Sequence, residues 1–195
     1  THALGRLGDR RATPFIARYL IHDYDPGTSF LAFRSLGALA DPVATPRLVD
    51  FVRDPRSGVP GLPGPIDAMP PLYAASDPAA IESVRALSDV PAVRPALVAV
   101  LGARRDAQSL PAMLRWFADR NESFEVRNEV LFSVMKIGDP AAAPGLEVGL
   151  DDSNVEIRAG VCETWGALRA TAMVPTVLTF LGRETHQVPR AYALK

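Results

Sequence analysis

One phrase recurs down this chain in constant phase, and that recurrence constrains the fold more than any single residue does. It is fullest from Val126 to Leu150: an apolar stripe, a glycine, an aspartate and, five residues past the aspartate, a proline. Val93-Arg94 through Leu101-Gly102 to Asp106, Val126-Arg127 through Val134-Met135 to Gly138-Asp139, and Ile157-Arg158 through Trp165-Gly166 to Ala170 align without a gap. Leu36-Gly37 to Asp41 fits the same frame, and so does Ala3-Leu4-Gly5-Arg6-Leu7-Gly8-Asp9. Prolines at 14, 46, 111, 144 and 175 hold the spacing. Apolar residues repeat two, five and six places beyond the proline: Ile16, Tyr19 and Leu20; Leu48, Phe51 and Val52; Met113, Trp116 and Phe117; Val177, Phe180 and Leu181.

The spacing dictates the local structure. Val126, Val130, Leu131, Val134 and Ile137 fall on one stripe of a helix, not on the alternating face of a strand, and Ile157, Val161, Cys162, Trp165 and Leu168 repeat it. The glycine ends this first helix in a left-handed conformation, and the aspartate takes the free amides that open a second. A proline in the first turn of that second helix forfeits no hydrogen bond, and Thr13 and Thr45, each just before one, are placed to cap. Neither helix can bury its stripe alone. Stacked neighbours can, which predicts an elongated solenoid of about five to six helical hairpins. A single such domain is expected over 1–195, irregular at 53–76.

The irregular part is legible in the chain itself. The run from Asp54 to Pro65 reads as a loop, and Pro70-Pro71 should kink or shorten a first helix over Ile66–Ala75. Asp77-Pro78 restores the frame, so the third repeat is where the stack should bend or open. The chain starts inside a repeat and stops at the opening of another, without the polar caps that end repeats need, and is expected to be a segment of a longer one or to pack its termini against something else.

Composition bounds the partners. A net charge of −1 over 195 residues leaves no overall basic footprint for nucleic acid. The distribution is uneven: residues 1–60 hold eight basic and six acidic groups, whereas 119–170 hold five and ten. A partner for the later stretch is expected to be basic. No apolar run is long enough for membrane insertion. The single cysteine cannot form an internal disulfide and leaves the compartment open, with the cytoplasm as the default expectation.

The pattern V-R-x-x-φ-φ-x-x-φ-G-x-φ-G-D-P-x-A-x-P-x-L, seen at Val126 to Leu146, resembles the HEAT-like repeats named after phycobilisome lyases, the E-Z type, over essentially the whole chain. The resemblance implies an all-α fold, a right-handed α-α superhelix of HEAT-like or armadillo type, used mostly as a protein-binding platform. Ankyrin repeats share the Thr-Pro of Thr13-Pro14 and Thr45-Pro46 but want a following histidine that is absent, and no segment supplies the tetratricopeptide pattern.

His2, His22 and His186 lie in different repeats without ligand partners at metal spacing, so no metal or cofactor is expected. Some iron-binding proteins of the HEAT class carry His-Glu pairs, and none occurs here. Cys162 aligns with Leu131, Val98 and Phe33 and is expected to be a buried thiol, not a nucleophile. Asp151-Asp152-Ser153-Asn154 lacks the spacing and glycine of a calcium loop and reads as a helix cap. Trp116 and Trp165 align with core positions. Arg94, Arg127 and Arg158 recur one repeat apart, each expected to reach a carboxylate such as the turn aspartates Asp106 and Asp139.

What varies from copy to copy while the frame holds is the candidate site. In one first helix these positions are Phe124, Glu125, Asn128, Glu129 and Phe132; in the next they are Val155, Glu156, Ala159, Gly160 and Glu163; in the second repeat they include Arg34. The resemblance implies that such positions line one recognition face, and Phe132, aligned with Arg34, Ala99 and Glu163 in the other copies, reads either as an aromatic anchor for a partner or as a ring covering a gap beside the next helix. The expectation is a non-enzymatic scaffold binding a protein or peptide through Phe124, Glu125, Asn128, Glu129, Phe132, Glu156, Glu163 and Arg34. The alternatives are an accessory of the phycobilin-lyase kind, acting on a tetrapyrrole-bearing protein, and a DNA-repair solenoid, which the acidic second half disfavours.

Overall fold

The computed structural model describes residues 2–20, 26–54, 64–75 and 81–194, and they contain helices and turns with no strand among them. His22, most of the expected loop and Asp77-Pro78 lie outside the described residues. The chain forms two compact units, 1–97 and 98–195.

In the first unit, α1 (His2–Leu7), α3 (Pro26–Leu39) and α5 (Met69–Ala75) lie side by side as one layer, the first helices of successive hairpins. Their partners α2 (Thr13–Ala17), α4 (Thr45–Arg53) and α6 (Ile81–Arg85) form the second. Between the layers Ile16, Leu36, Leu48, Leu72 and Leu87 are fully buried. Arg10 closes α3 by donating to the carbonyls of Leu39 and Ala40 at 3.2 and 3.1 Å, a cation where the helix dipole is negative. The prolines shorten the third hairpin's first helix as expected: a 3-10 turn, Pro65–Ala68, precedes α5, and Pro70-Pro71 fall in its opening turn.

The helix α7 (Arg94–Ala103) contains the division between the units. In the second unit α9 (Phe124–Ile137), α10 (Val155–Ala167) and α12 (Gln187–Ala193) form the first-helix layer, with α8 (Leu110–Ala118) and α11 (Val174–Arg183) in the other. The predicted stripe is buried: Val130 and Val134 are at 0% exposure, as are Ile157 and Val161. Close approach sets the stacking. A Cβ on Gly102 would sit 2.3 Å from the Ser133 hydroxyl, which donates to the Val98 carbonyl, and a Cβ on Gly5 would sit 2.6 Å from Ser35 in the same frame.

The turns obey the predicted rule more strictly than their residues do. Gly8 and Gly138 take φ of 73° and 77°, and the same place in the other copies is also left-handed although it holds Ala40, Arg105 and Arg169, at 46°, 53° and 52°. Asp9, Asp41 and Asp139 accept from the amides two residues on, as expected. The threonines do not cap. The Thr13 and Thr45 hydroxyls are buried without a partner among the described residues, because a 3-10 turn capped by the aspartate comes between it and the helix proper.

One second helix is not α-helical. Pro140–Asp151 winds as a 3-10 helix of 12 residues, long for that form. Its sequence explains it. Pro144, Gly145 and Gly149 weaken the α form, and the buried residues Ala143, Leu146 and Gly149 recur every third position, the period at which 3-10 side chains eclipse. A Cβ at Gly149 would lie 2.5 Å from the Phe117 ring, so a neighbour's aromatic occupies the space that other copies fill with their own.

Candidate functional site

Buried ion pairs fix how α9 and α10 present their outer faces. Arg127, with its side chain 8% exposed, donates to Asp152 at 2.5 Å and to the Phe117 carbonyl at 2.9 Å, while its guanidinium lies 5.4 Å from the Phe117 ring centre. Arg158 meets Glu184 at 2.6 Å and donates to the Asp152 carbonyl at 2.9 Å. These carboxylates are not the turn aspartates the repeat frame pointed to. Asp139 caps its own 3-10 helix and Asp106 accepts from the Ser109 hydroxyl. The partners close the second helix of the same hairpin, at the chain positions that lead into or follow its end, where the arginine side chain can reach them.

Electrostatics reinforce the pairs. Burial pushes the Asp152 carboxyl up, but the Asn154 amide and the Arg127 guanidinium outweigh it and hold the group below its ordinary value. The Arg158 guanidinium holds Glu184 low against burial, with help from the His186 amide. Cys162 behaves as predicted: burial pushes its thiol up to about 11. The Asp151 to Asn154 run is a cap, with Asn154 accepting from the Glu156 amide at 2.8 Å and Asp152 from the Asn154 amide at 2.8 Å. His186 caps α12 through its ring nitrogen. Among the described residues no three His, Cys, Asp or Glu side chains are grouped to hold a metal ion.

With the inner faces locked, α9 turns Phe124, Glu125 and Phe132 outward, the two rings 37% and 44% exposed, and α10 turns out Glu156 and Glu163. Asn128 and Glu129 are half-buried beside them. Ser123 starts α9 by accepting from the Val126 amide, and Asn154 starts α10, so both helices enter the layer in matching register. Arg34 is exposed on α3, in the other unit. Two positions of the expected variable face are set by packing: Ala159 is buried at 5% exposure, and Gly160 is half-buried where an added Cβ would lie 2.7 Å from Leu131. They vary because α10 packs closely on α9 there, so size and not recognition selects them. Trp165 is buried and donates to the Ala143 carbonyl at 2.9 Å, whereas Trp116 is half-exposed, contrary to its aligned position. Lys136 stands 3.6 Å from Glu129, two turns along the same helix face, and the seven-residue spacing is the one sign of it in the sequence.

Among the described residues no single helix is long and apolar enough to cross a membrane. No curated protein matches the chain significantly. Among solved structures, human deoxyhypusine hydroxylase in complex with glycerol is similar at 19% identity and a TM-score of 0.46, over 86% of this chain and 77% of that one. The complex of CpcE and CpcF of phycocyanin lyase from Nostoc sp. PCC7120 is similar at 19% identity and a TM-score of 0.44, over 99% and 69%. Overlaps of that size carry no activity across. A model of HEAT repeats matches residues 1–59 and 78–161, passing over the stretch that holds the proline-broken hairpin. Stacked helical hairpins with a left-handed turn, an aspartate cap and a proline in fixed phase, matched over most of the length, make this chain a member of the HEAT-repeat family.

Proposed function

We propose that this HEAT-repeat scaffold works by binding and not by catalysis, and that the outer face of α9 and α10 holds a basic segment of a protein partner. The observation that carries the reading is Phe132. It stands mid-helix and 44% exposed, while Val126, Val130, Leu131 and Val134 of the same helix are buried. A large ring left in water amid carboxylates suits an anchor that gains from desolvation on binding, with Glu125, Glu129, Glu156 and Glu163 supplying the charge that orients a cationic partner.

The test is Phe132→Glu. The reading expects an unchanged melting temperature and loss of the partner captured by the unaltered protein. A fall of several degrees would instead assign the ring to the packing between first helices.

A further inference from the structure

The first-helix layer of the first unit carries a different surface. α1 and α3 meet tightly through Gly5 and Ser35, and α7 and α9 meet in the same way through Gly102 and Ser133. Between α3 and α5 the equivalent pair is Gly37 and Pro71, and there the nearest Pro71 atom stays 3.8 Å from a Cβ built on Gly37. Proline has replaced the serine whose small side chain and hydroxyl bring neighbours together. The two helices still pack side by side but approach less closely at this point, and a groove of about 470 Å³ opens there, lined by Phe30, Phe33, Arg34, Ile66, Asp67 and Pro71 among others. Phe30 and Ile66 are 41% and 52% exposed at its rim.

Apart from Asp67, the ionised side chains lining this groove and its neighbour are arginines. Arg34 also lines an adjoining cavity with Arg6 and His2. Neither Arg6 nor Arg34 has a hydrogen-bond or ion-pair partner among the described residues, and α1, α3 and α5 contain no carboxylate. Asp67, at the groove's edge, is occupied in accepting from the Gly64 amide at 2.7 Å. The corresponding layer of the second unit, by contrast, carries Glu125, Glu129, Glu156 and Glu163.

From this geometry we propose that the α3–α5 groove binds a short acidic peptide segment of a partner protein. One apolar side chain enters between Phe30, Ile66, Pro70 and Pro71, and flanking carboxylates pair with Arg34 and Arg6. An unpaired guanidinium takes a carboxylate in two parallel hydrogen bonds, and the apolar slot beside it supplies the desolvation that a surface ion pair lacks. The site stands whether or not α9 and α10 bind anything.

The probe is a fluorescein-labelled Glu-Glu-Trp-Leu-Glu peptide read by anisotropy, with Lys-Lys-Trp-Leu-Lys and Glu-Glu-Gly-Gly-Glu as comparisons. Amide shifts of isotope-labelled protein locate the contact. The acidic apolar peptide should bind at least about tenfold tighter than either comparison and weaken as salt is raised. Arg34→Glu should weaken it by about tenfold or more and favour the lysine peptide, Arg34→Gln should fall between, and Ile66→Ala should weaken it with the charges intact. Phe132→Glu should leave it unchanged, which separates this site from the α9–α10 face. Equal binding of acidic and basic peptides, indifference to Arg34→Glu, shifts on α9 or α10 instead of α3 and α5, or no saturable binding at millimolar peptide would overturn the proposal. Tighter binding of an oligothymidylate than of the acidic peptide would overturn it too, assigning the arginines to phosphate.

Discussion

Replacing Ala40 with glycine, a change that removes a methyl group, should make the protein more stable. Ala40 sits at a φ of 46°, where its Cβ crowds the backbone, and it is held there because the turn must reverse the chain between stacked helices. A left-handed L residue costs about 1–2 kcal/mol. Glycine removes that cost but loses about 0.5–1 kcal/mol through its greater freedom in the unfolded chain. The net gain is therefore about 0.5–1 kcal/mol. With an unfolding entropy near 2.1 cal/mol/K per residue, a 195-residue cooperative unit would melt about 1–2.5 °C higher. Arg105→Gly, at 53° and on an exposed side chain in the second unit, should give a similar gain and add to the first. If the two units melt separately in calorimetry, each substitution should move only its own transition. Gly138→Ala is the reciprocal control. The nearest atom to its new Cβ would be the Met135 carbonyl oxygen at 4.0 Å, so no clash contributes, and stability should fall by about as much as it rose at Ala40. A lower melting temperature for Ala40→Gly, or an unchanged one for Gly138→Ala, would refute the claim that the repeat frame imposes this conformation against the residue's preference.

Other measurements probe the buried pairs and the thiol. Arg127→Ala strands the Asp152 carboxylate in the interior and should destabilise by about 3–5 kcal/mol in urea titration, far more than loss of the exposed Arg183–Asp151 pair, whose Arg183→Ala variant should change stability by less than about 1 kcal/mol. Because Asp152 and Glu184 are both held below their ordinary values, their stabilisation is complete above the unfolded pKa values of about 4 and is lost as pH falls through the folded ones. Melting temperature should therefore drop as pH is lowered below about 4, and Glu184→Gln should flatten that descent. Cys162, 4% exposed and with its thiol pushed up to about 11, should resist an aromatic disulfide reagent at neutral pH and react fully once urea unfolds the chain.

The hairpin frame was readable because its signals are local: a stripe at helical spacing, an aspartate whose side chain reaches two residues ahead, a proline where no amide is needed. The left-handed turn was readable only at Gly8 and Gly138, since Ala40, Arg105 and Arg169 adopt it under pressure from packing that no local residue announces. The threonine caps failed for a related reason. A 3-10 turn inserted before each helix let the aspartate take the amides and left the hydroxyls buried and idle. Arginine recurrence correctly implied structure, but the partners were misjudged because Asp152 and Glu184 lie at helix ends that the aligned turns do not include. On the candidate face, variability alone mixed two causes: Phe132 and Glu163 vary in the open, whereas Ala159 and Gly160 vary under a neighbour. The α3–α5 groove was foreshadowed by Pro70-Pro71, though only the missing serine contact shows why a groove opens there.

The arrangement of Arg127, Asp152, Arg158 and Glu184 governs where the polypeptide can be cut. Arg158 reaches back to the main chain at Asp152 and forward to Glu184, so each hairpin neutralises its own arginine at the end of its second helix while Arg158 also ties α10 to the hairpin before it. A fragment ending at Arg183 would keep every apolar side chain of α10 yet leave a cation inside with its counterion discarded. Workable truncation points in this region follow the ownership of carboxylates, and the visible ends of helices are a poor guide to them.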